Sequence, residues 1–110
     1  MSSEKSCRMI AYFSIIPVGQ ESTSLGSHVA AAIAAMNKLE GLRCKVTAMG
    51  TLLEADNLEQ IFKAVEVAHE TLVDRGFARV ESTLMIDDRR DKPRTMKDKV
   101  NSVKKYMKQR

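Results

Sequence analysis

The stretch TAMGTLLEAD, residues 47–56, decides the fold. Before it, RCKVTAM (43–49) alternates. Cys44, Val46 and Ala48 fall on one side, and Lys45, Thr47 and Met49 on the other, the period-two pattern of a strand. After Gly50, TLLEA (51–55) reads as a second strand folded back on the first, so a hairpin with a tight or bulged corner is predicted at the glycine. The second strand carries an acid, Glu54, behind two leucines. Either Glu54 faces solvent or it faces something that wants a negative charge. Thr51 and Glu54 are three residues apart, which in a regular strand puts them on opposite faces. Both can serve one site only if a bulge or the strand's end breaks the alternation.

Working outward, RMIAYFSIIPV (8–18) is rich in β-branched and aromatic residues and ends at Pro17-Val18-Gly19, a first strand. After the polar GQESTS, with Ser24 as a candidate cap, Leu25, Val29, Ala32, Ile33 and Met36 recur at helical spacing. The opposite side is small (Gly26, Ala30, Ala31, Ala34), and Glu40-Gly41 is read as the end of the helix. Asp56, with Glu59 three residues on, is read as the capping box of a second helix. Its stripe is Leu58, Ile61, Phe62, Val65, Ala68, His69 and Leu72, and Arg75-Gly76 closes it. ARVESTLMI (78–86) alternates again, with Val80, Ser82, Leu84 and Ile86 on one side, and forms a fourth strand. DDRRDKPR is a charged loop, and Met96, Val100, Val103 and Met107 stripe a final helix over 95–108. The order β-α-β-β-α-β plus a terminal helix predicts an α+β, ferredoxin-like domain. Its four-stranded antiparallel sheet would carry two helices on one face. Residues 1–110 read as this single domain, with 1–7 as a flexible lead-in.

The bulk composition agrees. A chain of 110 residues suits one domain, and its 44% apolar and 29% charged content is that of a globular protein. So short a domain buries only about two-thirds of its unfolded surface, which favours assembly into an oligomer. No apolar run approaches the ~20 residues of a membrane span, and no signal peptide is legible at the start; the expected location is cytoplasmic, with no membrane partner. The two cysteines, Cys7 and Cys44, have no spacing to each other or to a histidine that suits a metal. No metal site and no cofactor are predicted.

The net charge of +4 raises the question of nucleic acid. Residues 92–110, however, hold eight Lys/Arg against Asp98 alone, +7 in total, which leaves −3 for residues 1–91. The positive charge belongs to a terminal helix and reads as a solvated face. An open four-stranded sheet also suggests RNA recognition by base stacking on central-strand aromatics, but TLLEA has no aromatic and brings an acid instead. No nucleic-acid partner is expected. If Ala11, Phe13 and Ile15 face the helices, the other side of the sheet carries Ile10, Tyr12, Ser14 and Ile16 of the first strand, Glu81, Thr83 and Met85 of the fourth, and Thr47 and Met49 of the second. That face is too apolar to be solvated and is expected to pack on another subunit or a ligand.

Several motifs occur together in order: VG-x-x-STS after the first strand, MGTLLEA at the hairpin, AHE in the second helix and STLMIDDRRDK after the fourth strand. Together they resemble the thiamine-binding, YkoF-like family over residues 9–107. The resemblance implies a homo-oligomer, a homotetramer built by pairing sheets. It also implies non-catalytic binding of thiamine or its hydroxymethyl-pyrimidine portion near a subunit interface.

On that resemblance Ser22, Thr23, Ser24, Thr51, Glu54, Tyr12 and Arg89 are the candidate ligand-binding residues. Ser22, Thr23 and Ser24 either cap a helix or hold a polar ligand group at its N-terminus. Glu54 could accept from the aminopyrimidine or sit near the thiazolium charge, and Thr51 could donate and accept. Tyr12 either stacks on a flat heterocycle or is buried in a subunit contact. Arg89 either grips a carboxylate or phosphate or makes a local ion pair that orders its loop. His69, alone on an apolar stripe, reads as a packing residue. The chain shows no nucleophile–base pair, metal spacing or phosphate loop, so no enzymatic activity is expected. The alternative is a structural or regulatory oligomeric module whose open face serves assembly alone, with no small-molecule ligand.

Overall fold

The structure is a computed structural model, and it describes residues 9–19, 25–91 and 95–107. The expectations for 1–7 and for Ser22, Thr23 and Ser24 lie outside the described residues. The elements follow the expected order: β1 (Met9–Val18), α1 (Gly26–Met36), β2 (Arg43–Val46), β3 (Thr51–Ala55), α2 (Leu58–Asp74), β4 (Arg79–Asp87) and α3 (Met96–Met107). The sheet order is β2-β3-β1-β4, and every pairing is antiparallel. This is the ferredoxin-like arrangement.

Register fixes which side chain meets which. Phe13 lies across from Thr51 and Leu84, and Ala11 across from Leu53 and Ile86. These residues face α1 and α2, where Phe13, Met36, Leu53, Ile61 and Leu72 are fully buried. Each such side chain contributes about 1.5–3 kcal/mol by leaving water. Along α1, Ala32 and Met36 are buried while Ala30 and Ala34 are exposed, as the helical spacing requires. The other sheet face carries Ile10, Tyr12, Ser14 and Ile16 of β1, Leu52 and Glu54 of β3, Arg43 and Lys45 of β2, and Thr83 and Met85 of β4.

Local chemistry moves three boundaries from where the sequence alone puts them. First, β2 stops at Val46, not Met49. Thr47 donates its hydroxyl to the Gly50 carbonyl (2.7 Å) and its backbone N–H to the same oxygen (2.8 Å). Its Oγ1 accepts from the N–H groups of Gly50 and Met49. This hydroxyl-closed turn draws 47–50 out of the ladder, and Val46 still pairs with Thr51, so the corner holds no bulge. Second, α1 ends at Met36, and Gly41 at φ +80° turns the chain into β2. Third, the cap of α2 is Asn57, not Asp56: its Oδ1 accepts from the Gln60 N–H (2.9 Å), and the Gln60 side chain accepts from the Asp56 N–H (2.9 Å). Two acid-or-amide pairs at equal spacing stand one residue apart in the sequence. The extended backbone of Asn57 selects the second.

Tyr12 holds the hairpin corner against β1. Its hydroxyl donates to the Met49 carbonyl, and its ring lies so close over Gly50 that a Cβ there would come within 2.7 Å of two ring carbons and the hydroxyl oxygen. Helix α3 stands apart, with no buried residue. The radius of gyration is accordingly 15.7 Å, against about 13 Å for a compact chain of this length. Among the described residues, no helix is long and apolar enough to cross a membrane.

Gly50→Ala is therefore expected to displace the Tyr12 ring and lower stability by about 1–3 kcal/mol. Tyr12→Phe, which loses only the hydrogen bond, should lower it by about 1 kcal/mol. Urea denaturation with an unchanged m-value is the check, and in a Tyr12→Ala background Gly50→Ala should cost much less. Asn57→Ala should lower stability by ~1 kcal/mol through the lost cap, read in the same way.

Candidate functional site

Alternation in β3 divides the candidate residues between two concavities. Thr51, buried at 5% exposure, faces the helix side, and Glu54, at 2%, faces the outer side. Five regular residues separate the two sides with no bulge between. The structure therefore does not bring Thr51 and Glu54 to one site within a chain.

The Thr51 side opens into a cleft of about 280 Å³ between α1, the far half of β1 and the hairpin turn. Its lining includes Ser14 and Ile16 of β1, Val29 and Ile33 of α1, Met49 of the turn and Thr51. The β1–β3 ladder stops at the pair of Phe13 with Thr51, while β1 continues to Val18 against β4 alone. Along 14–18 every second residue thus turns its N–H and C=O toward an edge with no strand beside it among the described residues. No titratable side chain lines the cleft. Tyr12 forms its back wall indirectly, through its hold on Met49 and Gly50.

The Glu54 side is a groove of about 630 Å³ between the outer sheet face and α3. Arg43, Lys45, Lys97 and Lys104 line it together with Leu52 and Val100. Glu54 is buried there because α3 closes over it. Its Oε2 accepts the Met96 N–H at 2.8 Å, and Arg43 stands 3.8 Å from Oε1. Two further donors of that helix start are satisfied locally, since Thr95 accepts from the Asp98 N–H and Asp98 accepts from the Thr95 N–H, both at 3.1 Å. This is a reciprocal capping pair. Lys99 adds an ion pair to Asp87 at the end of β4. Glu54 thus has the negative charge favoured at a helix N-terminus. Its partners are distant in sequence, and spacing alone did not reveal them.

Arg89 lines neither concavity and grips Asp91 through two hydrogen bonds of 2.7 and 3.1 Å. Asp91 raises the guanidinium's already high pKa. Its neighbour Arg90 binds Asp88, and the hydrogen bond from Arg90 holds the Asp88 carboxyl below its usual range. The local ion-pair reading of this loop accounts for these contacts. His69 bridges α2 to β4, its Nε2 lying 2.7 Å from the Ser82 hydroxyl. His28 accepts from the Arg75 Nε at 3.0 Å and packs edge-on against Phe77. Burial pushes the Cys44 thiol up. No cluster of three or more His, Cys, Asp or Glu that could hold a metal occurs among the described residues. Thr47 and Ser14 were missed as cleft residues, although a threonine three positions before a hairpin glycine was a usable turn signal.

Glu54→Ala should release the start of α3 while leaving the core intact. Hydrogen exchange at 96–100 is expected to accelerate roughly 10- to 100-fold, matching a lost charge-assisted bond of about 1.5–3 kcal/mol, with β1 and α2 protection unchanged.

Comparison with known proteins places this geometry. The family model for thiamine-binding proteins matches residues 11–104. A UPF0045 protein of Methanothermobacter thermautotrophicus is 51% identical over 94 residues, covering 86% of this chain and 94% of that one. A Methanocaldococcus jannaschii crystal structure superposes with a TM-score of 0.79 at 38% identity, covering 87% of this chain and 95% of that one. A Thermotoga maritima structure, described as a candidate thiamine biosynthesis/salvage protein, shares the fold with a TM-score of 0.70 at 21% identity, over 87% and 98% of the two chains. With nearly the whole described domain matched, the chain belongs to the thiamine-binding protein family.

Proposed function

We propose that the protein binds thiamine or its hydroxymethyl-pyrimidine portion, without catalysis, in the uncharged cleft beside Thr51, near a subunit interface of a homotetramer. Family membership over residues 11–104 carries this reading, and the cleft's chemistry supports it. An aminopyrimidine is flat and presents a donor beside an acceptor. The unladdered edge of β1 offers the complementary backbone pair, and Thr51 adds a hydroxyl. Met49, 79% exposed at the lip, offers a polarisable surface to a flat ring. The cleft is at the lower limit of small-molecule sites, which run about 300–1,000 Å³, a size for one ring system. A lining without titratable groups suits binding rather than proton transfer.

The groove across the sheet is the poorer host for a cation. Four basic side chains surround it, and Glu54 is already engaged by Met96 and Arg43. Assembly is supported by the outer sheet face. Ile16, 49% exposed, lies both on that face and at the cleft, and Met85 and the α3 residues Val103 and Met107 are exposed as well. A face of this kind is usually covered by another subunit.

Calorimetric titration with thiamine and with the free pyrimidine is the test. Saturable binding is expected for both, with Thr51→Val weakening it about tenfold, or ~1.4 kcal/mol, and Glu54→Gln changing it by less than about twofold. Absence of heat and of any melting shift at millimolar ligand would overturn the proposal in favour of a pure assembly module.

A further inference from the structure

Four basic side chains converge on the groove of about 630 Å³ between the outer sheet face and α3. They stand on its two walls. Arg43 and Lys45 are two residues apart on β2 and share a face, about 7 Å from one another along the strand. Lys97 and Lys104 are seven residues apart on α3, two turns and about 10 Å along the helix, with Val100 and Asn101 on the same stripe. Glu54 is the acid of the groove, and its carboxylate is engaged by the Met96 N–H and stands 3.8 Å from Arg43. Lys45, Lys97 and Lys104 have no carboxylate partner among the described residues, whereas Lys63, Arg79, Arg89, Arg90 and Lys99 each have one. Like charges gathered at one cleft repel each other and focus a positive potential into it. Apolar Leu52 and Val100 line the same groove.

The geometry points to a binding site for an organic diphosphate of nucleotide size, held between β2 and α3. The site lies across the sheet from the Thr51 cleft and rests on neither the ligand nor the assembly proposed for that side. The charge balance asks for more than one negative charge, because four cations share a single acid that is already engaged. Two linked phosphates supply that charge and extend far enough to meet both walls. Arg43 presents a planar fork that matches two phosphate oxygens, and the lysines act as mobile point charges. The volume falls within the roughly 300–1,000 Å³ of small-molecule sites, which leaves room for a ring system beside the phosphates, against Leu52 and Val100. Thr95 and Asn101 add polar groups for a sugar or a base edge. A nucleic-acid strand is the poorer occupant, since strand binding relies on stacking against aromatic side chains and none lines the groove. A bound diphosphate ties α3 to β2 through Lys104, more than two turns beyond the Glu54 contact that holds the helix start.

Calorimetric titration of the full chain, without thiamine or magnesium, is the test, with ADP, inorganic pyrophosphate and adenosine as probes. ADP is expected to bind saturably, pyrophosphate to bind more weakly, and adenosine not to bind at millimolar concentration. Lys45→Gln and Lys104→Gln, one on each wall, should each weaken ADP about tenfold. Lys105→Gln removes the same charge one residue along the helix, outside the groove, and should change the affinity by less than about twofold. Hydrogen exchange gives a second measurement: saturating ADP should slow the amides of residues 100–104 in the wild type. Absence of saturable heat with ADP, which is also the result if a second copy fills the groove, would overturn the site. So would adenosine or pyrophosphate binding as tightly as ADP, or unchanged exchange in α3. An equal loss in Lys45→Gln, Lys104→Gln and Lys105→Gln would overturn it too, being the mark of net charge without a site. Because thiamine is absent from every arm, these outcomes are separate from the success or failure of the thiamine reading.

Discussion

A carboxylate on the outer face of the sheet is buried because the N-terminus of a helix closes over it. Glu54 accepts the first free N–H of α3, and the groove, the placement of the basic tail and the outline of the molecule follow from that one contact. Among the described residues the ion pair of Lys99 with Asp87 adds to this hold, and the helix fully buries no side chain of its own. An unpaired buried charge is costly. The helix start, with its positive partial charge and spare donors, supplies the compensation.

The same strand separates two environments. Because β3 alternates without interruption, its hydroxyl and its carboxylate open onto opposite sides of one sheet. The cleft on the Thr51 side is uncharged, and the groove on the Glu54 side is lined with cations. One sheet thereby offers a neutral heterocycle-sized cleft on one side and a strongly basic surface on the other. The turn at 47–50 links them, because Tyr12 stands on the outer face yet fixes the turn that walls the cleft.

Much of this was legible in the sequence. The period-two runs and helical stripes establish the element order, the facing of Phe13 and Leu53 toward the helices and the openness of the other face, because patterning follows from which side of an element loses water. The alternation rule also states the condition on Thr51 and Glu54 from the sequence alone. Element ends were less legible. Whether Asp56 or Asn57 caps α2, and whether Thr47 continues β2 or closes a turn, depends on hydrogen bonds that two neighbouring residues can make equally well on paper. What only the tertiary structure decided is the role of Glu54. Its partner Met96 lies 42 residues away, and it contributes a backbone N–H, a group that every residue but proline carries and no sequence pattern marks.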